Sequence, residues 1–191
     1  MNCKVLITGI AGFIGFHTAK KFLQKNYDLI GVDNLNDYYD VTLKNARLNE
    51  LEKYKSNSND LNFIQCDLEN STKLESIFEK FNPKIVINLA AQAGVRHSLI
   101  NPQSYVNSNL VGFANILEAC RRFNVKNLIY ASSSSVYGNN VNSPFKEIDK
   151  TQKPLSLYGA TKSANELMAY SYSNLFKISC IGLRFFTVYG P

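Results

Sequence analysis

The chain has 191 residues, of which 45% are hydrophobic and 19% are charged, and this composition suits one α/β domain with a core of its own. Its formal net charge is +6, but the lysines are scattered and form no block or stripe, so we expect no nucleic-acid partner. The apolar runs fall far short of the ~20 residues of a membrane span. Four widely spaced cysteines and two histidines give no cluster of metal ligands, so we expect a reduced, cytoplasmic protein that holds no metal and contacts no membrane.

Short apolar runs alternate with helical patterns along most of the chain. In chain order they predict a strand at residues 3–8, a helix at 13–25, a strand at 28–32, a helix at 41–54, a strand at 62–65, a helix at 71–81, a strand at 84–89, a helix at 103–123, a strand at 127–131, a helix at 157–175 and a strand at 178–185. Apolar strands separated by helices are typical of a parallel sheet that is covered on both faces. The sequence therefore predicts an α/β fold with a doubly wound, mostly parallel, Rossmann-like sheet, and residues 1–191 forming one domain.

A glycine-rich turn links the first predicted strand to the first predicted helix. Gly9, Gly12 and Gly15 are spaced GxxGxxG, and Phe13 and Ile14 stand where the helix begins. Glycines at these positions permit a tight turn and let backbone N–H groups approach a pyrophosphate, while the helix N-terminus adds partial positive charge. These five residues are therefore predicted to bind the pyrophosphate of a dinucleotide.

The second predicted strand leads into Asp33, about 20 residues beyond the glycine-rich turn, as a ribose-binding acid should. A carboxylate at this place accepts hydrogen bonds from the adenosine ribose hydroxyls and repels a 2′-phosphate, which favours NAD over NADP. Two further strand ends are expected to contact the cofactor, one of them with an acid suited to the adenine amino group. Their residues are Asp67, Leu68, Leu89, Ala90 and Ala91.

Tyr158 and Lys162 are four residues apart in the last predicted helix, so both side chains lie on one helix face. Free tyrosine has a pKa of about 10, and a neighbouring ammonium together with a positive nicotinamide is expected to lower it towards about 7. Both residues are therefore predicted to be catalytic and to contact the cofactor. The four serines 132–135 directly follow the fifth predicted strand, at the sheet edge where parallel sheets bind ligands.

These motifs resemble the extended short-chain dehydrogenases/reductases, specifically the NAD-dependent nucleotide-sugar epimerases, and most of all the UDP-glucuronate 4-epimerases. The resemblance covers essentially the whole chain. Its most specific segments are DNLNDYYD at 33–40, AAQAGVRHS at 90–98, ASSSSVYG at 131–138, PLSLY at 154–158 and RFFTVYGP at 184–191.

The resemblance implies a mechanism and a set of residues for it. Tyr158 would remove the proton of the sugar 4-hydroxyl while hydride passes from C4 to NAD, and the bound 4-keto sugar would turn over before the hydride returns. Ser133 would hydrogen-bond the reacting oxygen, and Ser134, Arg96 and Thr187 would contact the sugar. Further cofactor contacts implied by the resemblance are Asn34, Ser108 and Phe186. The family likeness also implies a homodimer formed through a four-helix bundle and a role in making cell-surface polysaccharide precursors.

Two departures from related enzymes bear on this reading. Ser134 and Ser135 stand where 4,6-dehydratases carry an acidic pair, which favours simple epimerisation. The sequence also lacks the smaller C-terminal lobe that grips the uridine diphosphate, so weak binding of the UDP-sugar is expected. Two alternatives stay open: a catalytically silent, truncated protein that binds dinucleotide or dimerises, and an epimerase of UDP-glucose or a UDP-N-acetylhexosamine.

Overall fold

Strands and helices alternate along the chain, which a computed structural model describes at residues 3–140, 144–151 and 153–191. The strands are β1 (Lys4–Thr8), β2 (Asp28–Asp33), β3 (Leu61–Gln65), β4 (Ile85–Asn88), β5 (Asn127–Ser133) and β6 (Ser179–Phe185). The α-helices are α1 (Phe13–Gln24), α2 (Val41–Glu52), α3 (Ser71–Phe81), α4 (His97–Ile100), α5 (Pro102–Tyr105), α6 (Gly112–Arg122) and α7 (Leu157–Phe176). A π-helical turn, Val106–Val111, joins α5 to α6, and a 3-10 turn, Ser134–Tyr137, follows β5.

The strands form one parallel sheet in the order β3-β2-β1-β4-β5-β6. At its centre, Leu6 of β1 is paired with Ile30 of β2 on one side and with Val86 of β4 on the other. The chain leaves β1 towards β2 and later returns to β4 on the opposite side, so the strand order reverses between β1 and β4. Such a switch point opens a crevice at the carboxyl ends of the strands. The predicted doubly wound, Rossmann-like fold is confirmed.

Apolar side chains cover both faces of the sheet, because alternate strand residues point to opposite sides. On one face, Leu6 and Leu128 pack with the buried aromatic side chains of Phe78 from α3 and Phe113 from α6. The other face packs against α1 and α2. Its buried residues include Val5, Ile7, Leu29, Ala19, Leu23 and Leu51. Within the described residues, no helix is both long and apolar enough to cross a bilayer.

The prediction of one continuous helix over residues 103–123 is wrong. The segment begins at Pro102, changes to a π-helical turn at Val106 and becomes α-helical again at Gly112. The π turn holds Asn109, which is 2% exposed and whose side chain bonds the backbone of Gln92. A pattern of apolar spacing cannot reveal this extra residue per turn, since it arises from a contact with a distant strand end.

Strand β5 continues two residues beyond the predicted end at 131. Ser132 is paired with Arg184 and Ser133 with Phe185, so pairing with β6 keeps the backbone extended through polar residues that the apolar pattern excludes. Consequently, Ser133 lies at the last position of the strand, and its side chain caps the following 3-10 turn by accepting a hydrogen bond from the backbone N–H of Ser135.

Candidate functional site

A cavity of about 300 Å³ lies at the carboxyl ends of β1, β2 and β4, over the point where the strand order reverses. Most of the residues predicted to bind a cofactor line this cavity together. They are Gly9, Gly12, Phe13, Ile14, Gly15, Asp33, Asn34, Asp67, Leu68, Leu89, Ala90, Ala91 and Ser108. Residues from four separate strand ends and from the π-helical segment are thus brought to one place by the fold.

The glycine turn, residues 9–15, is packed too closely to accept side chains at two of its glycines. Gly9 has a φ of +69°, and a Cβ atom there would lie 2.7 Å from the backbone nitrogen of Ala90. A Cβ on Gly15 would lie 2.0 Å from the carbonyl oxygen of Gly9. Helix α1 begins just after Gly12, which offers no side-chain cap. The first N–H groups of this helix therefore lack intrahelical acceptors and face a cavity that suits an anionic group.

Asp33 ties the glycine turn to the loop that follows β2. One carboxylate oxygen accepts a hydrogen bond from the backbone N–H of Ala11 at 3.1 Å, and the other accepts from the N–H of Leu35 at 2.9 Å. The side chain is 8% exposed and lines the cavity. Because each carboxylate oxygen can accept more than one hydrogen bond, Asp33 retains acceptor capacity for a ribose hydroxyl.

Asp67 is held by neighbouring residues at the adjacent strand end. Its two carboxylate oxygens accept hydrogen bonds from the Asn34 side-chain amide at 2.8 Å and from the Glu69 backbone N–H at 3.0 Å. The Asn34 amide thereby joins the ends of β2 and β3. Asn34 and Asp67 line the cavity, with Leu68 buried beside them, and their polar groups suit the edge of an adenosine site.

Two cationic residues of α2, one that lines this cavity and one bonded to the glycine turn, were missed by reading the sequence. The Lys44 ammonium is buried, donates to the carbonyl and side-chain oxygens of Asn36 at 2.6 and 2.7 Å, and lies 4.4 Å from the ring centre of Tyr39. Burial lowers the pKa of Lys44, and the charge of Asp33 opposes that change. Arg47 donates to the carbonyl oxygen of Ala11 at 3.2 Å, inside the glycine turn. In the sequence, both cations look like ordinary solvent-facing charges of a polar helix.

The tyrosine, lysine and serine predicted for catalysis meet where α7 crosses the end of β5. Ser156 caps α7 by accepting a hydrogen bond from the Gly159 backbone N–H at 3.0 Å, which places Tyr158 in the first turn. The Lys162 ammonium is 3% exposed and donates to the Ala131 carbonyl at 2.8 Å. The Ser133 hydroxyl lies near enough to the Tyr158 phenol to lower its pKa.

The expected lowering of the Tyr158 pKa by Lys162 is not found in this arrangement. Burial raises the pKa of the Tyr158 phenol, and the nearby Ser133 hydroxyl opposes the rise. Lys162 has little effect because its nitrogen is turned to the strand carbonyl of Ala131, and burial lowers its own pKa to about 8. Ser133 is therefore the protein group that favours the phenolate here.

The sequence also gave no indication of an ion-pair network that holds α7 against β5 and β6. Arg184 makes two bonds of 2.9 Å to the two carboxylate oxygens of Glu166, and the Ser132 hydroxyl donates to the same carboxylate at 2.5 Å. Arg184 further donates to the Glu147 carbonyl at 3.1 Å. Glu166 is one helical turn beyond Lys162, so these bonds fix the register of the tyrosine and the lysine relative to the serine strand.

The low pKa of Lys162 predicts how stability depends on pH. From about pH 8 to about pH 10.5, the unfolded chain keeps a proton on this lysine that the folded protein has released. Within that window, this residue therefore increases the free energy of unfolding as the pH rises. Relative to Lys162→Met, the wild type should therefore gain about 3 kcal/mol across that window. Urea unfolding of both proteins at several pH values measures the difference. The difference in free energy of unfolding between the two proteins should stay constant below pH 7. If it is also constant between about pH 8 and about pH 10.5, the pKa of Lys162 is not lowered in the folded protein.

Several predicted residues do not line the cavity, among them Tyr158 and Lys162, which were expected to contact the cofactor. Phe186 is 58% exposed and stacks on Phe145 rather than lining the cavity. Arg96 is exposed at the start of α4, and Thr187 is exposed after β6. Ser134 begins the 3-10 turn next to Ser133. Among the described residues, no group of three or more His, Cys, Asp or Glu side chains is placed to hold a metal ion.

Comparison with known proteins agrees with this geometry. The family model described as GDP-mannose 4,6 dehydratase matches residues 6–191. Protein CapI of Staphylococcus aureus is 55% identical over 188 residues, which are 98% of this chain and 55% of that protein. The probable UDP-glucuronate 4-epimerase of Rhizobium meliloti is 47% identical, over 98% of this chain and 54% of that protein.

A solved structure is similar over the same region. It is the UDP-glucuronic acid 4-epimerase from Bacillus cereus in complex with UDP-glucuronic acid and NAD, which has a TM-score of 0.87 and 35% identity, covering 98% of this chain and 58% of that chain. The chain spans about half the length of the curated relatives it matches. Since the family model matches nearly the whole sequence, the chain belongs to the GDP-mannose 4,6-dehydratase family of extended short-chain dehydrogenases/reductases.

Proposed function

We propose that residues 1–191 supply the NAD-binding domain of an NAD-dependent UDP-sugar 4-epimerase whose substrate is UDP-glucuronate. The observation that carries this proposal is the placement of Tyr158, Ser133 and Lys162 at the same sheet edge as the cavity lined by the glycine turn and Asp33. Relatives that are 47% identical in sequence or similar in structure are named as UDP-glucuronate epimerases, which supports the choice of sugar.

The cavity residues fit NAD. A close-packed glycine turn leaves room for a pyrophosphate where any Cβ would collide with backbone, and Asp33 offers acceptors for ribose hydroxyls at the end of β2. The same carboxylate would repel a 2′-phosphate, so we propose NAD rather than NADP. When bound, NAD supplies a nicotinamide ring that takes up and returns a hydride.

The chain's own residues would handle the proton. Tyr158 would accept it from the sugar 4-hydroxyl and return it at the end of the reaction, and Ser133 would hold the reacting oxygen through its hydroxyl. Lys162, fixed to the Ala131 carbonyl, would orient the nicotinamide ribose. Ser134, Arg96 and Thr187 are proposed to contact the sugar.

The residues after Ser133 support epimerisation over elimination. Ser134 and Ser135 carry no charge and cannot act as an acid–base pair at neutral pH. Loss of water from the sugar would need such a pair beside the 4-keto intermediate, and the 3-10 turn that they form does not provide one.

Product analysis tests the function. The chain, and the chain joined to the remaining residues of the Rhizobium meliloti relative, would be incubated with UDP-glucuronate and NAD, and UDP-galacturonate would be sought by chromatography. We expect product from the joined chain, with UDP-glucose converted far more slowly. Faster conversion of UDP-glucose would identify it as the substrate in place of UDP-glucuronate. NAD binding without any product would favour a catalytically silent dinucleotide-binding protein.

We also propose that the protein forms a homodimer through the outer face of α6 and α7. On α7, Leu167 and Tyr170 are 71% and 72% exposed and lie three residues apart on one face. The Tyr172 hydroxyl bonds Glu118 of α6, so the two helices present one continuous surface. Two such helix pairs, packed together, make a four-helix bundle.

A charge on this surface should separate the subunits. Tyr170→Glu would bury a carboxylate in the proposed apolar contact, so we expect the mass measured by light scattering to fall from that of a dimer to that of a monomer. Leu43→Glu, at an exposed position on α2, should remain dimeric. A wild-type chain that is monomeric at micromolar concentrations would refute the dimer.

A further inference from the structure

Gln92, just beyond the end of β4, has a buried side chain that lines the cavity. It is 6% exposed, and its side-chain nitrogen makes no hydrogen bond with any residue that the structure describes. Polar groups that are removed from water without a partner destabilise a fold, so such a group in a cavity wall points to a ligand atom as its partner.

The backbone of Gln92 is fixed on both sides by Asn109. The Gln92 N–H donates to the Asn109 side-chain oxygen at 2.8 Å, and the Asn109 side-chain nitrogen donates to the Gln92 carbonyl at 3.0 Å. Asn109 is itself anchored, since its carbonyl accepts a hydrogen bond from Asn165 of α7 at 2.7 Å. Gln92 therefore cannot relieve its unpaired amide by a small shift of the main chain.

Tyr105 is the polar neighbour that could compete for the Gln92 amide. Its hydroxyl points at the carbonyl oxygens of Ala93 and Gly94, at 2.7 and 2.6 Å. Burial raises the pKa of Tyr105 to about 12, and its interaction with Gln92 opposes that rise. An amide nitrogen carries two N–H donors, so an approach to Tyr105 leaves a second donor for a ligand.

The position of Gln92 in the sheet indicates which part of a ligand it meets. Asp33 ends β2 on one side of β1, whereas Gln92 follows β4 on the other side. A dinucleotide lies across the switch point, with adenosine at β2 and its pyrophosphate over the glycine turn. The segment after β4 therefore faces the half of the molecule beyond the adenosine.

We propose that Gln92 donates a hydrogen bond to an acceptor oxygen of NAD beyond the adenosine, on the pyrophosphate or the nicotinamide ribose. This rests on the binding of NAD proposed above. The residue would contribute to affinity while slightly destabilising the protein without ligand.

Replacement by leucine separates these two effects. Gln92→Leu keeps a similar volume and removes both donors, so we expect NAD to bind about five- to tenfold more weakly by calorimetric titration. The melting temperature without NAD should be equal to or higher than that of the wild type. Gln24→Leu, at an exposed position on α1, should change neither quantity.

Shorter ligands locate the acceptor. AMP should bind Gln92→Leu and wild type equally, and ADP-ribose should bind the variant more weakly. If Gln92→Leu also binds ADP more weakly than the wild type does, the acceptor oxygen lies on the pyrophosphate. If both proteins bind ADP equally, the acceptor lies on the nicotinamide ribose. An unchanged dissociation constant for NAD, a lower melting temperature without ligand, or an equal loss with AMP would overturn the assignment. If the wild type binds no NAD, both the proposed function and the role of Gln92 are wrong.

Discussion

Alanine in place of Gly15 should abolish NAD binding and lower the free energy of unfolding by about 3 kcal/mol or more. The added Cβ would lie 2.0 Å from the Gly9 carbonyl oxygen and 2.7 Å from its carbon, both backbone atoms of the same turn. Neither atom can move aside like a flexible side chain, so the turn must open or α1 must shift away from β1. Both changes would misplace the N–H groups that face the cavity.

Urea unfolding and titration with NAD measure the two effects of Gly15→Ala. Lys21→Ala, at an exposed position on the same helix, provides the control and should behave like the wild type in both experiments. A variant at Gly15 with wild-type stability and affinity would mean that the glycine turn does not determine the cofactor site.

Phenylalanine in place of Tyr158 should lower turnover about a thousandfold or more while the affinity for NAD changes by less than about threefold. The substitution removes the hydroxyl that lies near Ser133 and keeps the ring that meets Tyr105 edge to face, with 6.1 Å between the ring centres. Binding and packing are thereby preserved, and the proton acceptor is lost.

The product assay described above measures turnover for Tyr158→Phe in the chain joined to the remainder of the relative. Tyr27→Phe, at a tyrosine that packs on Phe22 of α1, should retain full activity. Turnover within tenfold of the wild type would exclude Tyr158 as the proton acceptor. A parallel loss of NAD affinity would instead assign it a binding role.

The parts of the fold that depend on local patterns were predictable from the sequence. The apolar runs at β1, β2 and β5 are buried between two helix layers, and burial on both faces is what makes a strand apolar throughout. The spacing of Gly9, Gly12 and Gly15 likewise reports a local requirement, since these residues contact one another or a neighbouring strand end.

Features that depend on distant contacts were not predictable. Lys44 looks like a surface charge until the loop at Asn36 folds back over it. The raised pKa of Tyr158 was not predictable either, because the YxxxK spacing places Lys162 on the same helix face and says nothing of the Ala131 carbonyl to which the lysine donates its hydrogen bond. The backbone of Gln92, which carries an unpaired amide, is held by Asn109, seventeen residues away.

The π-helical turn at Val106–Val111 lets one helical segment, α5 to α6, contact two different parts of the protein. A regular α-helix turns by about 100° per residue, and a π turn contains one residue more than an α turn. Side chains after the π turn therefore point in a different direction around the helix axis than they would in an unbroken α-helix. Before α6, Tyr105 and Asn109 bond the backbone of Ala93 and Gln92, two residues that line the cavity, while within α6 Ile116 and Cys120 are directed at the core. The change of phase at the π turn thus lets the first part of the segment hold the cavity wall while the second part fills the core.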